Sequence, residues 1–129
     1  MIAVDTSALM AFLLEEPESG AVYTALLSAD GLLISAGTAA EALIVSDRRG
    51  LGEQMRTLFE DLGMEIVPVN ATVAEDMARA YQRWGKGVHP AGLNLGDCFA
   101  YALAAARSVP LLCIGADFTQ TDVELAIRP

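Results

Sequence analysis

Four acidic residues, Asp5, Glu41, Asp97 and Asp117, occupy comparable places in the chain although they are far apart along it. Asp5 closes the apolar run Met1-Ile2-Ala3-Val4, and Asp117 follows the apolar run Pro110-Leu111-Leu112-Cys113-Ile114-Gly115-Ala116. Glu41 and Asp97 fall in the predicted first turns of two helices. Side chains that offer only oxygen, with no clustered His or Cys, select hard cations, here Mg2+ or Mn2+. A pair of such ions held by carboxylates, roughly 3.5–4 Å apart, stabilises the attacking and leaving oxygens of phosphodiester displacement and lowers the pKa of bound water. Such chemistry needs no histidine base. The one histidine, His89, lies in a Gly/Pro-rich loop and reads as a surface residue rather than a catalyst.

The elements that would deliver these acids can be read from the hydrophobic pattern. Residues 1–4, 32–35, 65–69 and 110–115 predict strands, and 123–127 a short fifth one. Residues 7–14, 19–29, 38–49, 52–62, 71–84 and 94–107 predict helices. The strands are continuous apolar runs rather than alternating ones, as expected of a parallel sheet covered on both faces. Pro68 places the third strand at an edge. Strands alternating with helices give an α/β fold in one domain spanning 1–129. Crossovers in such a sheet are right-handed and return every strand in the same direction. The acids after strands one, two and four therefore share an edge, and Asp97 joins them if its helix starts there.

A plainer reading stands beside this one. Thr38-Ala39-Ala40-Glu41 and Asn94-Leu95-Gly96-Asp97 both resemble capping arrangements, and Asp5 and Asp117 could cap the segments after them. Capping accounts for any one of the four. Four on one edge are harder to explain, because crowded like charges cost stability unless a counter-ion joins them.

Composition narrows the class. Apolar residues make up 53% of the 129 residues and aromatics 6%, so the core is aliphatic and alanine-rich. No apolar run approaches the ~20 residues needed to span a bilayer, and Asp5 interrupts an N-terminus without a basic region, which argues against a signal peptide. Cys98 and Cys113 read as small buried hydrophobes in a chain suited to a reducing cytoplasm. A net charge of −9 excludes a simple basic nucleic-acid surface but suits a basic protein partner, and leaves open a nuclease whose acids meet phosphate through metal ions.

Val4-Asp5-Thr6-Ser7-Ala8-Leu9, Glu41, the stretch Leu93-Asn94-Leu95-Gly96-Asp97-Cys98-Phe99-Ala100-Tyr101-Ala102-Leu103-Ala104, and Gly115-Ala116-Asp117-Phe118 together closely resemble a PIN domain, and more narrowly a VapC toxin of a type II toxin–antitoxin (VapBC) pair. The resemblance runs in order along nearly the whole chain. It implies a Rossmann-like three-layer sandwich with a parallel sheet of four to five strands, and a Mg2+- or Mn2+-dependent endoribonuclease that cuts structured RNA such as tRNA or rRNA. It implies Asp5, Glu41, Asp97 and Asp117 as the catalytic quartet, with Asp5, Asp97 and Asp117 on the metal. Thr6 and Ser7 match a small hydroxyl position beside the first acid, and Asp122 an additional acid outside the quartet. A homodimer and a small VapB-like antitoxin whose C-terminal segment covers the site are implied as partners. Arg48, Arg49, Lys86 and His89 are the candidate RNA contacts.

Other acidic-edged folds fit less well. A receiver domain needs an aspartate after the third strand, where this chain has Pro68-Val69-Asn70, and a haloacid dehalogenase phosphatase needs Asp-x-Asp, where position 7 is Ser. Gly85-Lys86-Gly87 lacks the remaining parts of a P-loop. The remaining alternative is a PIN-fold module that binds RNA or protein without cutting.

Overall fold

Asp5 is reached through β1 (Ile2–Val4), which lies in the interior of a four-stranded parallel sheet in the computed structural model, whose description covers residues 1–128. The order is β3-β2-β1-β4, with β2 at Leu32–Ser35, β3 at Glu65–Val67 and β4 at Leu111–Leu112. Ile2 and Ala3 pair with Leu32 and Leu33 on one side, and Ala3 and Val4 pair with Leu111 and Leu112 on the other. The third strand is at an edge, as predicted, although it ends at Val67, just before Pro68, rather than at residue 69.

Six helices cover the sheet: α1 (Thr6–Leu13), α2 (Ser19–Ser28), α3 (Ala36–Arg48), α4 (Gly52–Asp61), α5 (Ala71–Trp84) and α6 (Leu95–Arg107). Successive strand residues point to opposite faces, and the core divides accordingly. Ala3, Leu33 and Leu111 pack with Met77, Trp84, Tyr101 and Leu103 of α5 and α6. Val4, Leu32, Ile34 and Leu112 pack with Leu9, Val22, Leu26, Ala42, Met55 and Phe59 of the first four helices. Both faces of β1, β2 and β4 are therefore covered, which is why these strands lack alternation, whereas the edge strand β3 leaves Glu65 and Ile66 exposed. This is the three-layer α/β sandwich expected of a PIN domain.

Three local expectations are corrected. Helix α3 begins at Ala36 rather than Thr38, because Ser35 takes the N-cap and its Oγ accepts from Gly37 N at 3.3 Å. Glu41 consequently lies in the second turn, and the Thr38/Glu41 capping arrangement does not form. Strand β4 stops at Leu112 because the next free amide, Ile114 N, donates to Ser7 Oγ at 3.0 Å instead of to a neighbouring strand. The predicted fifth strand shrinks to one parallel bridge, Leu111 with Leu125, held by Leu111 N to Glu124 O at 2.8 Å and Ala126 N to Leu111 O at 2.9 Å. With two residues in β4, there is little left to pair with.

The loop between α5 and α6 is closed at its base by Leu93 N donating to Trp84 O and Lys86 N to Leu93 O, each at 3.0 Å. It therefore lies beside the N-terminus of α6.

Candidate metal centre and active site

Asp5 ends β1 and caps α1. Its Oδ2 accepts from Ser7 N at 3.1 Å and from Ser7 Oγ at 2.6 Å. Since Ser7 Oγ also accepts from Ile114 N, one hydroxyl ties the first strand end to the segment that leaves β4. Asp97 caps α6 in a full capping box: Asp97 N donates to Asn94 Oδ1 at 2.8 Å, and Asn94 N donates back to Asp97 Oδ2 at 3.1 Å. The capping reading is thus correct for both residues.

It is also incomplete. Asp5 is 6% exposed and Asp97 8%, far less than an ordinary surface cap. Each commits Oδ2 to its cap, while Oδ1 has no hydrogen-bond partner among the described residues. Neither Oδ1 is sealed from solvent, because the one unpaired side-chain polar atom fully enclosed among the described residues is Thr38 Oγ1. Two buried carboxylates are therefore locked by one oxygen and open at the other.

Glu41 reaches the same edge from the second turn of α3, where its Oε1 accepts from Thr6 Oγ1 at 2.7 Å. Helix α3 can come this close to α6 because Gly37 has no side chain. A Cβ there would stand 2.3 Å from Phe99 Cδ1. Asp117 lies exposed in the turn after β4, which Phe118 anchors in the core at 2% exposure.

The electrostatics link all four. Burial raises the Asp5 carboxyl above its ordinary value, against the opposing hydrogen bonds from Ser7, and the charges of Glu41 and Asp117 raise it further. Burial likewise pushes Asp97 up to about 6, with Asp117, Asp5 and Glu41 adding to the shift. The Cys113 thiol reports the same field from beneath. Burial chiefly, and then Asp5, Asp117 and Asp97, push it up to about 12. No three His, Cys, Asp or Glu side chains among the described residues converge closely enough to enclose an ion as they stand. In donor type and charge the set fits a hard divalent cation: oxygen ligands, two of them with a free atom, and a crowding that a cation would relieve.

The other sequence-predicted residues divide. Lys86 is exposed in the loop beside the α6 N-terminus, at the same end of that helix as Asp97. His89 is half-buried there, its Nδ1 accepting from Ala91 N at 3.0 Å and its ring edge-on to Trp84, so it shapes the loop. Arg48 and Arg49 are exposed at the far end of α3, roughly 10 Å along the axis from Glu41 at 1.5 Å per residue. Asp122 is taken up elsewhere. It accepts from Tyr101 Oη at 2.5 Å and pairs with Arg83 at 3.3 Å, while Tyr101 Oη accepts from the buried Trp84 Nε1 at 3.0 Å. Sequence reasoning did not find Gly37 or the Trp84–Tyr101–Asp122 chain. A glycine near a helix start carries no sign of the side chain that will lie against it.

Comparison with known proteins identifies the family. Residues 2–124 match the PIN domain family. A VapC ribonuclease of Mycobacterium bovis and ribonuclease VapC36 of Mycobacterium tuberculosis are each 47% identical over 126 residues, covering 94% of this chain and 90% of theirs. A ribonuclease VapC of Mycolicibacterium smegmatis is 38% identical, with 95% and 97% covered. Among solved structures, the sarcin–ricin-loop-cleaving toxin VapC20 of Mycobacterium tuberculosis superposes with a TM-score of 0.80 at 16% identity over the whole of both chains. A FitAB complex bound to a DNA fragment gives 0.69 at 23% identity, covering 97% of this chain and 93% of that one. The chain belongs to the PIN-domain family, among its VapC ribonucleases.

Proposed function

We propose that this protein is a Mg2+- or Mn2+-dependent endoribonuclease toxin that cleaves structured RNA of the tRNA or rRNA class and is neutralised by a cognate VapB-like antitoxin. The observation that carries the reading is the pair of buried caps, Asp5 and Asp97, each with one carboxylate oxygen fixed and one left free at the same sheet edge. Asp5, Asp97 and Asp117 are the residues that would hold the metal. When bound, a divalent cation supplies charge neutralisation at the phosphate and a water acidic enough to attack at neutral pH.

The chain's own contribution is placement. Ser7 fixes the Asp5 rotamer and the start of the segment bearing Asp117, and Asn94 fixes Asp97. Glu41 is the fourth catalytic carboxylate, and its Oε2 is the atom available to accept a proton from the attacking water. Lys86 is placed to meet backbone phosphate beside the α6 N-terminus.

Charge and kinship point to the partners. One structural relative is a toxin–antitoxin complex from Klebsiella pneumoniae, and another is VapBC2 of Rickettsia felis bound to promoter DNA. An acidic chain of net charge −9 suits an antitoxin segment that brings a basic side chain to the carboxylates. Homodimerisation and a cytoplasmic setting complete the reading. No helix among the described residues is long and apolar enough to cross a membrane.

The test is cleavage of total RNA by the purified chain in Mg2+, in Mn2+ and in chelator, beside Asp97→Asn. Metal-dependent RNA ends that vanish in the variant are expected. RNA retained but uncut under every condition would identify a binding module instead.

A further inference from the structure

Glu41 is the helix-borne member of the quartet that no cap positions. It sits on the second turn of a helix, at the end of a side chain with three rotatable bonds, yet two features confine it. Thr6 Oγ1 donates to its Oε1 at 2.7 Å, and the same hydroxyl stands 3.4 Å from Thr38 O, too long to compete for the single proton. On the other side is Gly96, in the first turn of α6 next to Asp97. A Cβ at position 96 would stand 2.5 Å from Glu41 Oε2 and 3.3 Å from its Cδ.

The backbone does not require that glycine. Gly96 is not among the residues with positive φ, and glycine weakens a helix relative to alanine. What Gly96 supplies is room. Gly20 gives the contrast, since it holds the same second position of α2 and its Cβ would meet nothing within 4 Å. The room at 96 brings the Glu41 carboxylate against the first turn of α6, where unpaired amides favour negative charge.

We propose that Thr6 and Gly96 are the positioning residues of Glu41, a hydroxyl that fixes one carboxylate oxygen and a gap that admits the other. The assignment rests on the nuclease reading. It makes position 96 a place where a helix-favouring change damages function. An alanine methyl would push aside the far end of a flexible side chain, which is cheap for folding. The remaining near atom, Asn94 Oδ1 at 3.3 Å, is tight but not overlapping. Displacing a catalytic carboxylate by about an ångström lowers turnover on the order of tenfold to a hundredfold.

The experiment compares Gly96→Ala, Thr6→Val, Thr6→Ser and the matched control Gly20→Ala, each alone and with Glu41→Ala. Two readouts are taken: melting temperature in chelator, and RNA cleavage in Mg2+. Gly96→Ala should melt at or above the wild-type temperature while losing at least about tenfold in cleavage. Thr6→Val should lose a similar factor, Thr6→Ser should restore most of it, and Gly20→Ala should cleave as wild type does. In chelator, Gly96→Ala should raise the melting temperature more when Glu41→Ala has removed the carboxylate. Absence of that coupling, or wild-type cleavage by Gly96→Ala, overturns the clamp while leaving the nuclease reading intact. A wild-type chain that cuts no RNA although the coupling is present overturns the nuclease reading, and with it the catalytic purpose of the clamp.

Discussion

Replacing Asp97 by Asn should make the metal-free protein more stable at neutral pH, by an amount that depends on pH in a definite sense. An ordinary aspartate titrates near 3.8, whereas Asp97 in the folded chain is pushed up to about 6, chiefly by burial and then by Asp117, Asp5 and Glu41. The folded state therefore keeps this proton across a window in which the unfolded chain has released it. By linkage, stability falls as pH rises through that window, and above it the full penalty is present. At 1.36 kcal/mol per unit the gap sets a ceiling of about 3 kcal/mol, and on the order of 2 kcal/mol once solvent screening of a partly open carboxylate is allowed.

Asparagine removes the charge but keeps the cap, because its Oδ1 can still accept from Asn94 N as Asp97 Oδ2 does at 3.1 Å. For a chain of 129 residues, about 2 kcal/mol corresponds to roughly 7 °C in melting temperature. The assay is thermal unfolding in chelator at pH 7.5 and at pH 4, wild type against Asp97→Asn. A gain of that size at pH 7.5 that largely disappears at pH 4 is expected. Saturating Mg2+ should then raise the wild-type melting temperature and leave the variant nearly unmoved, because a ligand stabilises only the state that binds it. A variant that melts no higher than wild type at pH 7.5, or one whose gain is the same at both pH values, would refute the account of a buried carboxylate crowded by its neighbours.

The remaining outcomes depend on single contacts. Ser7→Ala removes the acceptor of Ile114 N and a donor to Asp5, and should cost about 1–2 kcal/mol by urea denaturation while lowering cleavage as well. Tyr101→Phe leaves Trp84 Nε1 without its acceptor and Asp122 without its donor, and should cost a similar 1–2 kcal/mol with a smaller effect on cleavage. Cys98 and Cys113, both buried and with thiols pushed up to about 11 and about 12, should resist a disulfide reagent at pH 7.5 in the folded chain and react promptly in denaturant. Rapid labelling of the native protein would contradict their burial.

Much of this arrangement is legible in the sequence because it rests on short-range patterns. Apolar strands covered on both faces, the proline at the β3 edge and the Asn94–Asp97 capping box are all written within a few consecutive residues. The shared edge of Asp5, Glu41 and Asp117 is expected from crossover handedness, and Asp97 joins it on the further condition that its helix starts there. The features that could not be read depend on contacts across the fold. Ser35 displaces Thr38 as the cap of α3 because the last residue of a buried strand can itself be a cap. The ladder between β1 and β4 ends early because a serine from α1 captures the Ile114 amide, a pairing 107 positions apart. Gly37 and Gly96 matter only through Phe99 and Glu41, which their own neighbourhoods do not announce.

On sequence, capping and metal binding compete as explanations of these acids, and the structure removes the opposition. A cap needs one acceptor atom, and a carboxylate has two. At Asp5 the first oxygen is committed to the Ser7 amide of the following helix, and at Asp97 to the amide of the preceding N-cap residue Asn94. This fixes the side-chain torsions and leaves the second oxygen without a hydrogen-bond partner among the described residues. A binding group whose rotamer is already locked loses little entropy on taking up an ion, so at the proposed metal site the helix caps would act as the outer supports. Helices that start at the ends of parallel strands bring such caps to one edge as a matter of topology. Glu41, sited a full turn into its helix, has no cap to hold it, and in the proposed clamp a hydroxyl and a missing side chain take that place.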